Sequence, residues 1–192
     1  MSPQRSRKDD NIREEIIKAA MKVFSRHGFF RTPVQLIAEE AGVSKGLVFW
    51  YFRTKQELIA EVAKRSLPVD VIDECIKSGE TGKRLLECIG RNYLRKYRDP
   101  VQRNLLLHAM ALETILPEVG NTIRELCEEK IVEIAEKAFN ETSAKTKVAI
   151  RLFLGGLMCY TLRRPEDIDE ETFLRTALEI LTSNERGDKM DF

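Results

Sequence analysis

A chain of 192 residues with 43% hydrophobic and 33% charged side chains has the make-up of a globular protein, long enough to bury a core without disulfide or metal staples. No apolar run approaches the ~20 residues of a membrane span, and the opening MSPQRSRKDDN lacks the apolar stretch of a secretory signal, so a cytoplasmic protein with no membrane partner is expected. The net charge of +1 hides an asymmetry: residues 1–65 carry 13 Lys and Arg against 8 Asp and Glu, while residues 66–192 carry 19 against 23. A basic front on a mildly acidic body marks the front as the part that meets a polyanion.

Almost every segment repeats its apolar residues with a period near 3.6, which predicts an all-α fold of about nine to ten helices. The first helix is expected over Asn11–Arg26. Asn11 and Glu14 suggest a capping box, and Ile12, Ile16, Ala19, Ala20, Val23 and Phe24 form one stripe. Gly28 suits the left-handed position that ends it. Thr32-Pro33-Val34-Gln35 reads as a capped helix start, with Thr32 as N-cap, Pro33 first in the helix and Gln35 reaching back. Val34, Ile37, Ala38 and Ala41 give that short helix an inner face, and Gly42 permits a sharp turn. Ser44 caps a further short helix through Phe52, and Thr54 with Glu57 opens a fourth. Longer helices come next, at roughly 68–78, 81–98, 100–116, 118–139, 144–163 and 169–184, while residues 1–8 and 185–192 read as frayed ends.

Cys75, Cys88, Cys127 and Cys159 sit among apolar residues with no CxxC or CxxxH pair, so buried, reduced thiols are expected. His27 and His108 are too isolated to suggest a metal, and no cofactor is expected.

Two short helices joined by a glycine turn and braced by a longer one form a helix-turn-helix or an ordinary three-helix corner. The detailed run decides between them. Phe24, Gly28-Phe29, Thr32, Ile37-Ala38-Glu39-Glu40-Ala41-Gly42-Val43-Ser44, Gly46, Val48, Phe49, Tyr51-Phe52, Lys55 and Leu58 resemble, in order and spacing, the N-terminal domain of TetR (tetracycline-repressor-like) transcriptional regulators. The resemblance covers about a quarter of the chain. It implies a DNA-binding domain at 9–65, its helix-turn-helix at about 32–52, and a ligand-binding and dimerisation domain at 66–192.

By that resemblance Thr32, Ser44, Lys45, Gly46, Tyr51 and Lys55 fall where the family contacts DNA. Thr32, Tyr51 and Lys55 are suited to donating to phosphates, and Gly46 lets backbones approach. Leu47 stands where threonine is common and Phe49 where tyrosine is common, so two potential hydrogen bonds to DNA are absent. Trp50, the sole tryptophan, occupies a position often polar in the family. Val48 and Phe52 point inward, which turns the indole outward toward a sugar or thymine methyl. The expected readout is apolar and shape-based, with Lys45 as the direct base contact.

One such module covers too little DNA for useful specificity, so a homodimer on a palindromic or pseudo-palindromic duplex operator is expected. Leu152, Phe153, Gly156, Leu157 and Tyr160, with Phe173, Leu174, Ala177, Leu178 and Leu181, would form an apolar four-helix seam, and Gly155-Gly156 inside a helix suggests close packing. The resemblance further implies an effector pocket, with Ile89, Tyr93, Leu106, His108, Met110, Cys127, Ile131 and Phe139 as lining candidates and Tyr93, His108 or Thr114 as a buried polar anchor. Such a lining favours a hydrophobic or amphipathic small molecule. The reading is thus a ligand-responsive repressor and not an enzyme: there is no paired Glu-x-x-His, phosphate loop or nucleophile elbow. A helical adaptor or ligand-binding protein without specific DNA binding, and a helical-bundle enzyme, are the alternatives.

Overall fold

The computed structural model describes residues 3–183, and among them it contains ten helices and no strand. They are α1 (Pro3–His27), α2 (Val34–Glu40), α3 (Lys45–Tyr51), α4 (Lys55–Ser66), α5 (Val69–Lys77), α6 (Gly82–Tyr97), α7 (Pro100–Ile115), α8 (Pro117–Phe139), α9 (Ala144–Leu162) and α10 (Glu170–Ser183). The six later helices lie within two residues of their expected bounds. The first does not: α1 begins at Pro3, so Asn11 caps nothing, and Glu14 is instead bonded to Arg65. Part of the 1–8 segment expected to fray is therefore helical, while 185–192 lies outside the described residues.

The chain divides into two compact units. One holds residues 1–67 together with 100–123, and the other holds 68–99 together with 124–192. The first unit takes in α7, well beyond the boundary near residue 65 that the motif suggested. In it α1 packs against α2, α4 and α7, which explains why Ile17, outside the apolar stripe, is as completely buried as Ile16 and Phe24. Each large apolar side chain buried this way contributes about 1.5–3 kcal/mol. On α7, the His108 ring meets Phe29 edge-on at 5.9 Å, and Asn104 Nδ2 donates to the Ser25 carbonyl at 3.4 Å.

In the second unit α6 packs against α5, α9 and α10. Gly90 is the point of closest approach: a Cβ there would lie 2.3 Å from Leu174 Cδ1 and 3.3 Å from Phe153 Cζ. The cysteines correct the expectation of four reduced, buried thiols. Cys75 and Cys88 form a disulfide between α5 and α6, Cys127 is half-buried and Cys159 is exposed. Their 13-residue separation hid the pairing, because nearness here comes from the α5–α6 hairpin and not from spacing.

Arg65 on α4 donates two bonds of 2.6 Å to the Glu14 carboxylate on α1. These bonds, above all, hold the Glu14 carboxyl below the usual carboxylate range. A depressed folded-state pKa contributes stability above the unfolded value of about 4.3, and that contribution is lost as pH falls through the folded value. Glu14 is partly exposed, so solvent screening keeps the pair below ~1 kcal/mol. Urea unfolding of Glu14→Gln should therefore show a small deficit at pH 7 that shrinks at an acid pH below the usual carboxylate range. An equal deficit at both pH values would assign the loss to packing instead.

Candidate nucleic-acid interface

Gly28, with φ +73°, ends α1, and Gly42, with φ +65°, makes the turn between α2 and α3. Both backbones are left-handed, where a side chain is strained. Ser44 then caps α3 through its hydroxyl, which accepts the Leu47 N–H at 3.1 Å. Thr54 caps α4 by accepting from Glu57 N at 3.1 Å, and the Glu57 carboxylate returns to Arg53 N at 2.9 Å. These caps stand where the sequence predicts them. The Thr32 cap does not: Pro33 occupies the cap position of α2 without a side-chain bond, and Gln35 bonds to Glu39 instead.

Thr32 needs a second correction. It is 1% exposed, and its hydroxyl donates to the Gly28 carbonyl at 2.7 Å. Its single proton is used inside the head, so this side chain is not a phosphate donor. It ties the end of α1 to the entry of α2.

On α3, Val48 and Phe52 are each 1% exposed, whereas Trp50 is 68% exposed. The indole stands edge-on to Tyr51 at 4.6 Å, and Lys45 Nζ lies 5.9 Å from the Phe49 ring centre. Ser44, Lys45, Gly46, Phe49 and Trp50 are exposed, with Leu47 and Tyr51 half-exposed beside them. A Cβ on Gly46 would meet only Ser44 Oγ, at 3.9 Å, so the glycine leaves the start of α3 open. The Ser44 hydroxyl keeps its hydrogen for an outward bond because it serves the cap as acceptor. Lys55 Nζ donates to the Phe30 carbonyl at 2.8 Å, and burial lowers its pKa from the usual lysine value. The Tyr51 hydroxyl makes a long 3.5 Å bond to Asp9, and burial together with that carboxylate raises its pKa, so it remains a protonated donor. Exposed Arg53, just past α3, escaped the sequence reading; its signal was its place between Tyr51 and Lys55.

The head has one apolar and one cationic element on the outward side of a short capped helix, which is the chemistry of groove recognition. Residues 16–62 match the family model described as bacterial regulatory proteins, tetR family. The likeness to that family lies in the head. The fatty acid metabolism regulator protein of Bacillus subtilis (strain 168) is 30% identical over 77 residues, 39% of this chain and 40% of that protein. The transcriptional regulator TtgR of Pseudomonas putida is 45% identical over 47 residues, 24% of this chain and 22% of that one. This chain thus spans less than half the length of these curated relatives. Solved structures extend the likeness in fold. A TetR-like regulator from Rhodococcus sp. RHA1 has a TM-score of 0.66 at 18% identity, covering 92% of this chain and 97% of its own. FadR of Bacillus subtilis, in complex with stearoyl-CoA, has a TM-score of 0.63 at 21% identity, covering 88% and 97%.

Beyond the TetR-type head, the expected seam residues separate into two faces. Leu157, Tyr160, Leu174 and Leu178 are buried within their own unit, as α9 and α10 pack on α6 and on each other. Leu152, Gly156, Phe173, Ala177 and Leu181 line an open, mainly apolar cleft of about 870 Å3, joined by Val148 and Ile180, which the sequence reading missed, while Phe153 borders the cleft but is buried against α6. Of the eight effector candidates only Phe139 lines that cleft. Ile89, Tyr93 and Ile131 are buried in the second unit, with Cys127 half-buried there. Leu106, His108 and Met110 belong to the first unit, where Met110 is 50% exposed. Thr114 is exposed too, so it is not the buried anchor expected.

Thr32→Val tests the corrected role. Losing the buried bond should cost about 1 kcal/mol of stability while leaving the salt slope of DNA binding unchanged. A slope reduced by about one unit with stability intact would restore Thr32 to the phosphate contacts.

Proposed function

We propose that the protein is a DNA-binding transcriptional regulator of the cytoplasm, a homodimeric repressor that an amphipathic small molecule releases from its operator. The observation that carries this reading is the outward set of Lys45, Phe49 and Trp50 on α3, held there by buried Val48 and Phe52 within a TetR-type domain. The domain boundary follows function: residues 9–65 read DNA, and 66–192 carry the ligand and dimer roles.

On duplex DNA, Ser44 and Lys55 hold phosphates, Tyr51 does so by giving up its long bond to Asp9, Gly46 allows close approach, and Lys45 contacts a base edge. Leu47 and Trp50 supply an apolar surface suited to thymine methyls and sugar. A second copy covers the α9–α10 cleft. Exposed Leu152 and Ile180 support this, and so does Gly155: an added Cβ there meets nothing within 4 Å, so the glycine has no packing reason among the described residues. The effector is amphipathic and acyl-like, as the relative named for fatty acid metabolism and the FadR complex with stearoyl-CoA suggest. Its site is proposed among the second unit's Ile89, Tyr93, Cys127 and Ile131, since Phe139 lies on the cleft given to the second copy. Burial raises the Tyr93 phenol well above its ordinary pKa, so its hydroxyl stays protonated and able to donate. Release requires only that the effector bind more tightly to the conformation that fits DNA poorly.

Operator duplexes selected from a randomised library would test the reading by gel shift at two salt concentrations. Binding should be specific and fall steeply with salt. Lys45→Ala and Trp50→Ala should each weaken it by about tenfold or more and relax base preference, while Leu152→Glu should yield a monomer with half-site affinity only. No binding at low salt would point to a helical adaptor, and full affinity in both alanine variants would overturn the reading surface assigned to α3.

A further inference from the structure

The α5–α6 hairpin brings together two cysteines of unequal access. Cys75 is completely buried and Cys88 half-buried, with their Cα atoms 5.8 Å apart. Asn92, one turn after Cys88 on α6, points its side-chain amide at both sulfurs: Nδ2 lies 3.3 Å from Cys75 Sγ and 3.6 Å from Cys88 Sγ. A disulfide that only staples apolar helices has no use for a polar donor. A sulfur that passes through a thiolate does, because an N–H bond stabilises the negative charge.

We propose that Cys75 and Cys88 form a reversible redox site, with Cys88 as the peroxide-reactive thiol, Cys75 as the resolving thiol and Asn92 as the positioning donor. The Cys88 thiolate attacks one oxygen of a hydroperoxide. An S–O bond forms, the O–O bond breaks, and the leaving alkoxide or hydroxide takes up the proton that the Cys88 thiol released. Cys75 sulfur then attacks the sulfenic sulfur; the S–S bond forms, the S–O bond breaks, and hydroxide leaves with the Cys75 proton as water. Two thiols are oxidised by two electrons, and one peroxide is reduced to water and an alcohol or a second water. A dithiol reductant reverses the change by thiol–disulfide exchange.

The place of the bond gives it leverage. Only Leu67 and Pro68 separate α5 from α4 of the head, and only Arg98 and Asp99 separate α6 from α7. Oxidation therefore fixes to one another the two helices through which the chain leaves the head unit and returns to it. The proposal draws on the regulator reading for one point: a protein working on DNA in a reducing interior has redox-responsive disulfides more often than permanent ones.

The test uses the full chain, reduced and then exposed to stoichiometric hydrogen peroxide, with alkylation and peptide mapping by mass spectrometry. Cys75 and Cys88 should lose their free thiols together as one linked peptide, and amide exchange should slow across α5 and α6. In Cys75→Ser, oxidation should stop at a Cys88 sulfenic acid that dimedone traps. Asn92→Ala keeps both cysteines and should slow bond formation several-fold. In glutathione buffers the bond should pass from reduced to oxidised within the range set by physiological couples. Thiols that stay alkylatable after peroxide would overturn the proposal, as would a bond that persists in the most reducing buffer or Asn92→Ala with an unchanged rate. None of these readouts involves DNA, so failure here leaves the regulator reading standing, and failure of operator binding leaves these results interpretable.

Discussion

Val48 on α3 and Phe52 at its end lie about one helical turn apart and are both almost completely buried, so a helix of only seven residues has little freedom to rotate. At about 100° per residue, fixing those two inward sends Trp50 to the opposite side. Everything functional in the head depends on that anchorage. The Ser44 cap sets where α3 begins, the Thr54 cap starts α4 directly after it, and Gly42 sets the angle of entry. The surface thus presented has few hydrogen-bonding groups, so its selectivity would come from shape and methyl contacts more than from paired donors and acceptors.

The same logic explains what could be read from residues alone. Helical periodicity, the Thr54–Glu57 box and the glycine positions are local signals, and they located the later helices within a residue or two. Trp50 was legible because its inward neighbours were unmistakable. Thr32 was misjudged because its sequence context, a threonine before Pro33, suits a cap. Its actual partner, the Gly28 carbonyl, is available only after α1 has turned at a left-handed glycine.

Features that depend on distant segments were harder to see. The return of α7 to α1 and α4, the burial of Ile17 beneath the wider contact, and the Cys75–Cys88 pairing all arise from helices meeting in space. The dimer candidates show an intermediate case. The residues marked apolar seam candidates on α9 and α10, yet they could not say which of them the chain itself buries. The structure assigns Leu157, Tyr160, Leu174 and Leu178 to the interior and leaves Leu152, Phe173 and Ala177 on the cleft.

Because the chain contains one tryptophan, its indole fluorescence reports α3 and nothing else. Trp50 in the free protein should emit as a solvent-exposed indole and be quenched efficiently by acrylamide. Addition of a selected operator duplex should change its emission and shield it from acrylamide, with half-saturation matching the gel-shift affinity. An indole equally accessible in the DNA-bound and free protein would contradict the central claim that this face of α3 reads the duplex.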